Sequence, residues 1–403
     1  MCSVLSVAQW FTFRFWSVQV RRLQMNRPLR AGLVGCGSLS QRGILPHLSQ
    51  PDAQEKVRLV AVVDAVAERA QQSAERYGVP AHFTSIEEML AQADIDLALI
   101  ITPIQRHYAD ALAAIEAGKH VYVQKAMTTT LAEADALLAA RDRMGVKLAA
   151  APGFELFPTT AQMREIVAGG ELGQVAVAMT YTLGFGHEFE PIRGGKSALQ
   201  AINPAWYYRP GAGPLPDVTV YSLQLATSVL GPVRRVTALG NRIQPQRTWQ
   251  GQTIEVQIDD NNLLLMEFAS GALCTAIGAN CRGSARIPWG GLGLYGTAGT
   301  LEVTDVDGAS GYPLAFDVRG VRSYQRRMEV DAQPYLTGEH LEIEEPHVYA
   351  DILDLADAIQ ENRDPRASGE QARHVVEIIE KAHAAAATGQ TQTLQSSFRL
   401  PPV

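Results

Sequence analysis

Cysteine is scarce in this chain. There are four in 403 residues (Cys2, Cys36, Cys274, Cys281), with no C-x-x-C pair and no histidines at zinc-ligand spacing. That excludes a disulfide-stapled scaffold and a structural zinc module, and it sets a reducing cytoplasm as the expected location. Positive charge is also in short supply: 35 Lys+Arg stand against 42 Asp+Glu, for a formal net charge of −7. A mildly acidic chain offers no electrostatic footprint for nucleic acid or for an anionic membrane face. No apolar run reaches the roughly 20 residues of a membrane-spanning helix, and no internal repeat or low-complexity tract is present. What remains is a globular composition, 46% hydrophobic and 19% charged. At about 150 residues per domain it predicts two domains.

Residues 1–24 stand apart from the rest. Trp10, Phe11, Phe13, Phe15 and Trp16 crowd together, broken by Arg14, with Arg21-Arg22 after them. A secretory signal would carry its basic residues before the apolar stretch and a small-residue cleavage site after it. The segment is read as a loose arm or a start misplaced ahead of Met25, with a membrane-binding arm as the alternative.

From Leu29 the pattern is regular. The apolar run Leu29–Val34 ends in Gly35-Cys36-Gly37-Ser38-Leu39-Ser40 and passes into a helical pattern carrying Ile44, Leu45 and Leu48 on one face. Strand, glycine turn and helix form the setting of a dinucleotide fingerprint. Gly35 would make the tight turn. Gly37 would let the backbone approach a pyrophosphate, which the amides of the following helix, with Ser38 and Leu39, would hold. The third position is Ser40 where glycine or alanine is usual. A second apolar strand, Val57–Val63, ends in Asp64, whose carboxylate could accept both adenosine ribose hydroxyls and repel a 2′-phosphate, or could cap the helix expected over 65–77. The stretch Ser49–Glu55 reads as a loop. Asp64 favours NAD, with NADP as the alternative.

Further strand–helix units follow. Ala81–Thr84 precedes a helix over 86–93. Leu97–Ile101 ends in Thr102-Pro103 before a helix over 108–117 closed by Gly118. His120–Val123 ends in Gln124-Lys125-Ala126. Alternating strand and helix implies a parallel, doubly wound sheet with ligands at the strand C-terminal ends. Ser38, Asp64, Thr102 and Lys125 all fall on that edge.

These motifs resemble the glucose–fructose oxidoreductase/inositol dehydrogenase/rhizopine catabolism (Gfo/Idh/MocA) family, over nearly the whole of residues 30–394. The family's Thr-Pro-Asn-x-x-His appears as Thr102-Pro103-Ile104-Gln105-Arg106-His107. Its Ala-Gly-Lys-His-Val and Glu-Lys-Pro appear as Ala117–Val121 and Gln124-Lys125-Ala126. Its later Gly-Gly-Gly-x-Leu-x-Asp-x-Gly-x-His appears as Gly211 to Tyr221, keeping Asp217 and placing Tyr221 where the histidine stands. The resemblance implies an NAD(P)-dependent oxidoreductase acting on a secondary alcohol or carbonyl of a sugar or polyol. It implies cofactor contacts from Gly35, Gly37, Ser38, Leu39, Asp64, Thr102, Pro103, His107, Gln124 and Lys125, and a dimer or tetramer formed through the second domain. An NAD-dependent glycosidase and a non-catalytic NAD-binding regulator are the alternatives.

After Pro152 the rhythm changes. A helix over 159–168 is followed by strand candidates at 175–183, 233–239, 253–258, 262–268, 272–279 and 291–295, and by two closing helices at 349–360 and 371–387. Strands in series predict an α+β domain with a large, mostly antiparallel open sheet. The expected division is 25–150, a Rossmann domain, and 151–403, a substrate and oligomerisation domain. No metal is expected.

The chemistry needs a group to hold the substrate oxygen and take its proton. Lys125 sits beside the cofactor, where burial and the nicotinamide charge would lower its pKa. Asp217 would orient it and Tyr221, one helical turn on, would relay the proton. Read without the resemblance, Asp217 is a helix N-cap and Tyr221 a core residue. Trp206, Tyr208 and Arg209 would wall a sugar pocket. His187 and His347 rank below the trio.

Overall fold

The computed structural model describes residues 27–280, 290–306, 312–320, 325–329 and 334–401. The expectation for residues 1–24 lies outside the described residues, as do Cys2 and Cys281.

The first sheet has six parallel strands: β1 (Leu29–Val34), β2 (Val57–Val63), β3 (Ala81–Phe83), β4 (Leu97–Ile100), β5 (His120–Val123) and β6 (Leu148–Ala150). Their order is β3-β2-β1-β4-β5-β6. The order reverses between β1 and β4, and a crevice opens there at the strand C-terminal ends. Local chemistry sets the crossovers. Ser85 accepts the Glu88 amide at the start of the helix Ile86–Gln92, and Thr130 with Glu133 forms a reciprocal capping box on Leu131–Met144. The helix expected over 108–117 begins earlier, at Ile104, directly behind Pro103. The expected loop Ser49–Glu55 is instead occupied by a short helix, Pro51–Lys56, with proline at its first position, where a missing N–H costs nothing.

The second sheet has nine strands, in the order β16-β15-β14-β13-β7-β12-β11-β8-β17. They are β7 (Val175–Leu183), β8 (Val233–Asn241), β11 (Asn261–Phe268), β12 (Leu273–Ala279), β13 (Gly291–Gly296), β14 (Gly299–Val306), β15 (Pro313–Gly320), β16 (Gln325–Glu329) and β17 (Gln392–Thr393). Only β7 and β12 run parallel; every other neighbouring pair is antiparallel. The strand expected at 253–258 does not join this sheet. β10 (Gln252–Glu255) pairs with β9 (Gln246–Trp249) in a separate ribbon, because Trp249 and Ile254 bury themselves against Tyr207 and Tyr208.

Helices Pro158–Ala168, Val220–Leu230 and Gly369–Thr388 cover one face of the large sheet. The other face carries alternating apolar side chains left in the open, among them Leu239 (70% exposed), Leu265 (58%) and Leu273 (55%), with Val177, Met179 and Leu263 beside them. The helix Pro346–Glu361 leaves the second sheet and returns to the first. Its Val348, Ile352 and Leu355 share one core with Leu29, Leu33 and Leu99. Among the described residues no helix is long and apolar enough to cross a membrane.

Candidate active site

The crevice at the β1/β4 reversal opens into a cavity of about 840 Å³, running from the glycine turn to Lys125. Every residue expected to contact a cofactor lines it: Gly35, Gly37, Ser38, Leu39, Asp64, Thr102, Pro103, His107, Gln124 and Lys125.

The glycine turn is built for a close approach. Gly35 has φ +102°, and a Cβ there would lie 2.6 Å from the Ile101 carbonyl oxygen, so only glycine fits without displacing backbone. At Gly37 a Cβ would meet nothing within 4 Å, so the backbone faces open space. The turn that follows, Ser40–Ile44, is a π-helical turn feeding the helix Leu45–Leu48, and Ser40 Oγ donates to the Gly35 carbonyl at 2.5 Å. Asp64 accepts the Cys36 amide at 3.0 Å and the Val66 amide at 2.8 Å, and pairs with Arg69 at 3.1 Å. The helix it might have capped starts at Ala67, behind Val66. His107 lies within hydrogen-bond distance of the Thr102 and Ala126 carbonyls, 2.7 and 2.8 Å away, and so ties the ends of β4 and β5 together. Thr102 donates to Asp110 at 2.9 Å.

The second half closes the cavity. Lys125 Nζ donates to the Asp217 carbonyl and to Asp217 Oδ1, both at 2.7 Å. Asp217 is not an N-cap. It sits inside a π-helical turn, Leu215–Thr219, that runs into Val220–Leu230. Its other oxygen, Oδ2, is 2.7 Å from His187 Nε2, and His187 Nδ1 pairs with Glu190. Burial opposes ionisation of Asp217, yet Lys125 and His187 together hold its pKa well below the ordinary carboxylate range. Burial likewise works to lower His187, but Glu190 and Asp217 outweigh it and raise its pKa above the usual histidine value.

Tyr221 takes a different orientation from the expected relay. The Lys125 ammonium stands over its ring, 5.3 Å from the centroid, while the phenol oxygen is 3.3 Å from His347 Nε2. Burial first, then Glu345 and Asp217, push the phenol pKa well above its ordinary value. Of the aromatic segment, only Trp206 lines the cavity, beside His187. Tyr208 is turned away, fully buried against Arg247 and bonded to Glu188, and Arg209 points to solvent. Neither Tyr208 nor Arg209 walls this cavity, because the ribbon β9–β10 draws Tyr208 into its own small core.

The lining fits a dinucleotide. Open backbone lies at Gly37, a carboxylate stands at the end of β2, and the cavity continues unbroken to Lys125. Two family models match the chain. One, an oxidoreductase family with an NAD-binding Rossmann fold, covers residues 29–151, and the Gfo/Idh/MocA C-terminal domain covers 160–302. The chain belongs to the Gfo/Idh/MocA oxidoreductase family. It is 28% identical over 260 residues to D-glucoside 3-dehydrogenase of Escherichia coli, covering 61% of this chain and 68% of that one. It is 26% identical over 245 residues to the mouse trans-1,2-dihydrobenzene-1,2-diol dehydrogenase, covering 60% and 66%. Such matches span between 43% and 75% of the length of the curated relatives. A levoglucosan dehydrogenase solved with NADH superposes with a TM-score of 0.76 at 20% identity, over 92% of this chain and all of that one, which shows a shared fold.

This Gfo/Idh/MocA chain also brings in groups that sequence spacing does not single out. Glu190 and Arg193 come from the segment after β7, and Arg42 meets Glu345 at 2.5 Å across 303 positions of sequence. His187 carries a weak signal, as one of nine histidines beside two acidic residues. The Arg42–Glu345 pair carries none.

Proposed function

We propose that this protein is an NAD-dependent dehydrogenase or reductase that moves a hydride between nicotinamide and a CH–OH carbon of a sugar, polyol or related diol. The observation that carries the reading is the Lys125–Asp217 pair, at the far end of a dinucleotide-shaped cavity from Asp64. Bound NAD would supply the hydride acceptor at that end. The chain's own residues do the rest. An ammonium has three N–H donors. Two of those on Lys125 are spent on Asp217, which leaves the third for the substrate oxygen, and Lys125 is the proton partner of that oxygen. Asp217 fixes the direction of the ammonium, and His187 fixes Asp217. The ring of Tyr221 supports the ammonium from below by a cation–π contact.

The cofactor contacts assigned from sequence, Gly35 to Leu39, Asp64, Thr102, Pro103, His107 and Gln124, are kept as the dinucleotide site. Asp64 favours NAD, since a 2′-phosphate would meet its carboxylate and Arg69 is already engaged by it. The chain divides near residue 150 into the Rossmann half and the second half. The open apolar face of the large sheet supports a homodimer or homotetramer, because an apolar patch of that kind is usually covered. The free buried thiols of Cys36 and Cys274 agree with a reducing cytoplasm.

The test is NADH formation on a panel of sugars and polyols. Turnover is expected for wild type, and Lys125→Ala is expected to lose about 100- to 10,000-fold in kcat while still binding NAD. No turnover by wild type, or full turnover by the variant, overturns the reading.

A further inference from the structure

The charges that line the cavity come in opposed pairs. At the reacting end, Lys125 lies 2.7 Å from Asp217, Arg193 lies 2.8 Å from Glu190, and Arg42 lies 2.5 Å from Glu345. Elsewhere along the cavity, Arg69 faces Asp64 at 3.1 Å and Arg106 faces Asp110 at 2.5 Å. Each of the five lysines and arginines among the described lining residues thus has a carboxylate partner that is itself a lining residue. Of the two histidines among the described lining residues, His187 is held between two of those same carboxylates, Asp217 and Glu190, and His107 lies against the Thr102 and Ala126 carbonyls. Several of these groups are deeply buried: the side chains of Arg193, Asp217 and Glu345 keep 4%, 6% and 5% of their exposure.

At the reacting end such a lining suits hydroxyl groups and disfavours anions. A hydroxyl donates one hydrogen bond and accepts two, so it can satisfy a carboxylate oxygen and an N–H in the same pair. An ionised carboxylate or phosphate only accepts. Entering here, it would leave water, find each cation already neutralised, and face the partner carboxylates. Trp206 adds an apolar wall at the same end, against which the C–H face of a ring can lie. From this we infer that the substrate is an uncharged polyhydroxylated ring, and that uronic acids, sugar phosphates and nucleotide sugars are excluded. The inference rests on the dehydrogenase reading above and narrows it to one substrate class.

The experiment separates charge from shape. The NADH-loaded enzyme, in which the nicotinamide ring is neutral, is titrated with methyl glycosides, the matching methyl glycuronides, the matching glycuronamides and the 6-phosphates, each in the gluco, galacto and manno series. Binding is read calorimetrically, and NAD reduction by the same compounds is followed separately. In the series that binds, the glycoside and the amide should agree within about 10-fold, and the carboxylate and phosphate should bind about 100-fold more weakly. A carboxylate that binds as well as its own amide overturns the inference, and so does a panel in which no neutral glycoside binds. Neutral binding without turnover of any compound would leave the charge rule standing and overturn the dehydrogenase reading instead. Glu345→Gln, which removes the buried partner of Arg42 and leaves it the more exposed Glu344, 3.1 Å away, should improve carboxylate over amide by about 10-fold. An unchanged ratio in that variant overturns ion pairing as the cause.

Discussion

His187 Nε2 lies 2.7 Å from Asp217 Oδ2, on the carboxylate oxygen that Lys125 leaves free. The aspartate is therefore clamped from both sides, by an ammonium from the first half and an imidazole from the second. Its position is set by the closing of one half on the other.

His187→Asn should lower kcat by about 10- to 100-fold, as expected when a reacting group loses its orientation. The pH dependence of stability gives a second readout. Glu190 and Asp217 raise the folded pKa of His187 against the opposing effect of burial. Its stabilising contribution is thus complete below the unfolded value of about 6.5 and lost as pH rises through the folded value. The Tm gap between wild type and the variant should be widest near about pH 6 and close on the alkaline side. A gap that widens with pH would contradict this assignment.

Tyr221→Phe keeps the ring under Lys125 and removes only the hydroxyl. It should retain kcat within about 5-fold, whereas Tyr221→Ala should lose about 10-fold or more, given a cation–π contact of this kind. A phenylalanine variant as inactive as Lys125→Ala would restore the phenol as the proton carrier. Steady-state kinetics on the best substrate decides between them.

Asp64→Ala removes the carboxylate that holds Arg69. The kcat/KM for NAD should fall about 10- to 100-fold, the usual worth of hydrogen bonds to a charged group, and that for NADP should rise as Arg69 becomes available to a 2′-phosphate. Equal losses with both cofactors would mean that Asp64 acts only on the fold of the turn.

Leu265→Asp places a charge on the open face of the large sheet, where Leu265 is 58% exposed. The monomer fold should survive, with Tm changed by only a few degrees, while sedimentation shifts toward a smaller species. Unaltered sedimentation would remove this face as the contact between copies.

His47 and His340 face one another through Nδ1 atoms 2.8 Å apart, stacked with Tyr349. Burial, with His340 adding to it, lowers His47 to about 4. A histidine lowered on folding destabilises the native state as pH falls from about 6.5 toward the folded value. Urea unfolding at pH 7 and 4.5 should show a smaller loss of stability in His47→Asn than in wild type, and equal losses would remove His47 as a contributor.

The fold could be read from sequence where one signal dominates. Val57–Val63 and Val175–Leu183 are apolar runs with clean ends, and both form strands with those same limits. The helix Pro51–Lys56 was hidden because a proline after Ser49-Gln50 reads as a break. The strand expected at 253–258 pairs in a ribbon apart from the sheet because its partner, the Tyr207–Tyr208 pair, is chosen only in three dimensions. The site shows the same limit. Gly35, Asp64, Thr102 and Lys125 announce themselves by standing at strand ends. Glu190 and Glu345 take their places from long-range packing, which no local pattern encodes.

The helix Pro346–Glu361 rests on the first sheet although the chain reaches it only after building most of the second. A gene cut after Ala150 would deliver a sheet missing one of its layers, with Leu29, Leu33 and Tyr122 wetted where they are now covered. The two halves are thus not separable modules. Neither recombination nor a two-plasmid experiment can exchange the nucleotide half alone, and any chimera has to carry 346–361 along with it.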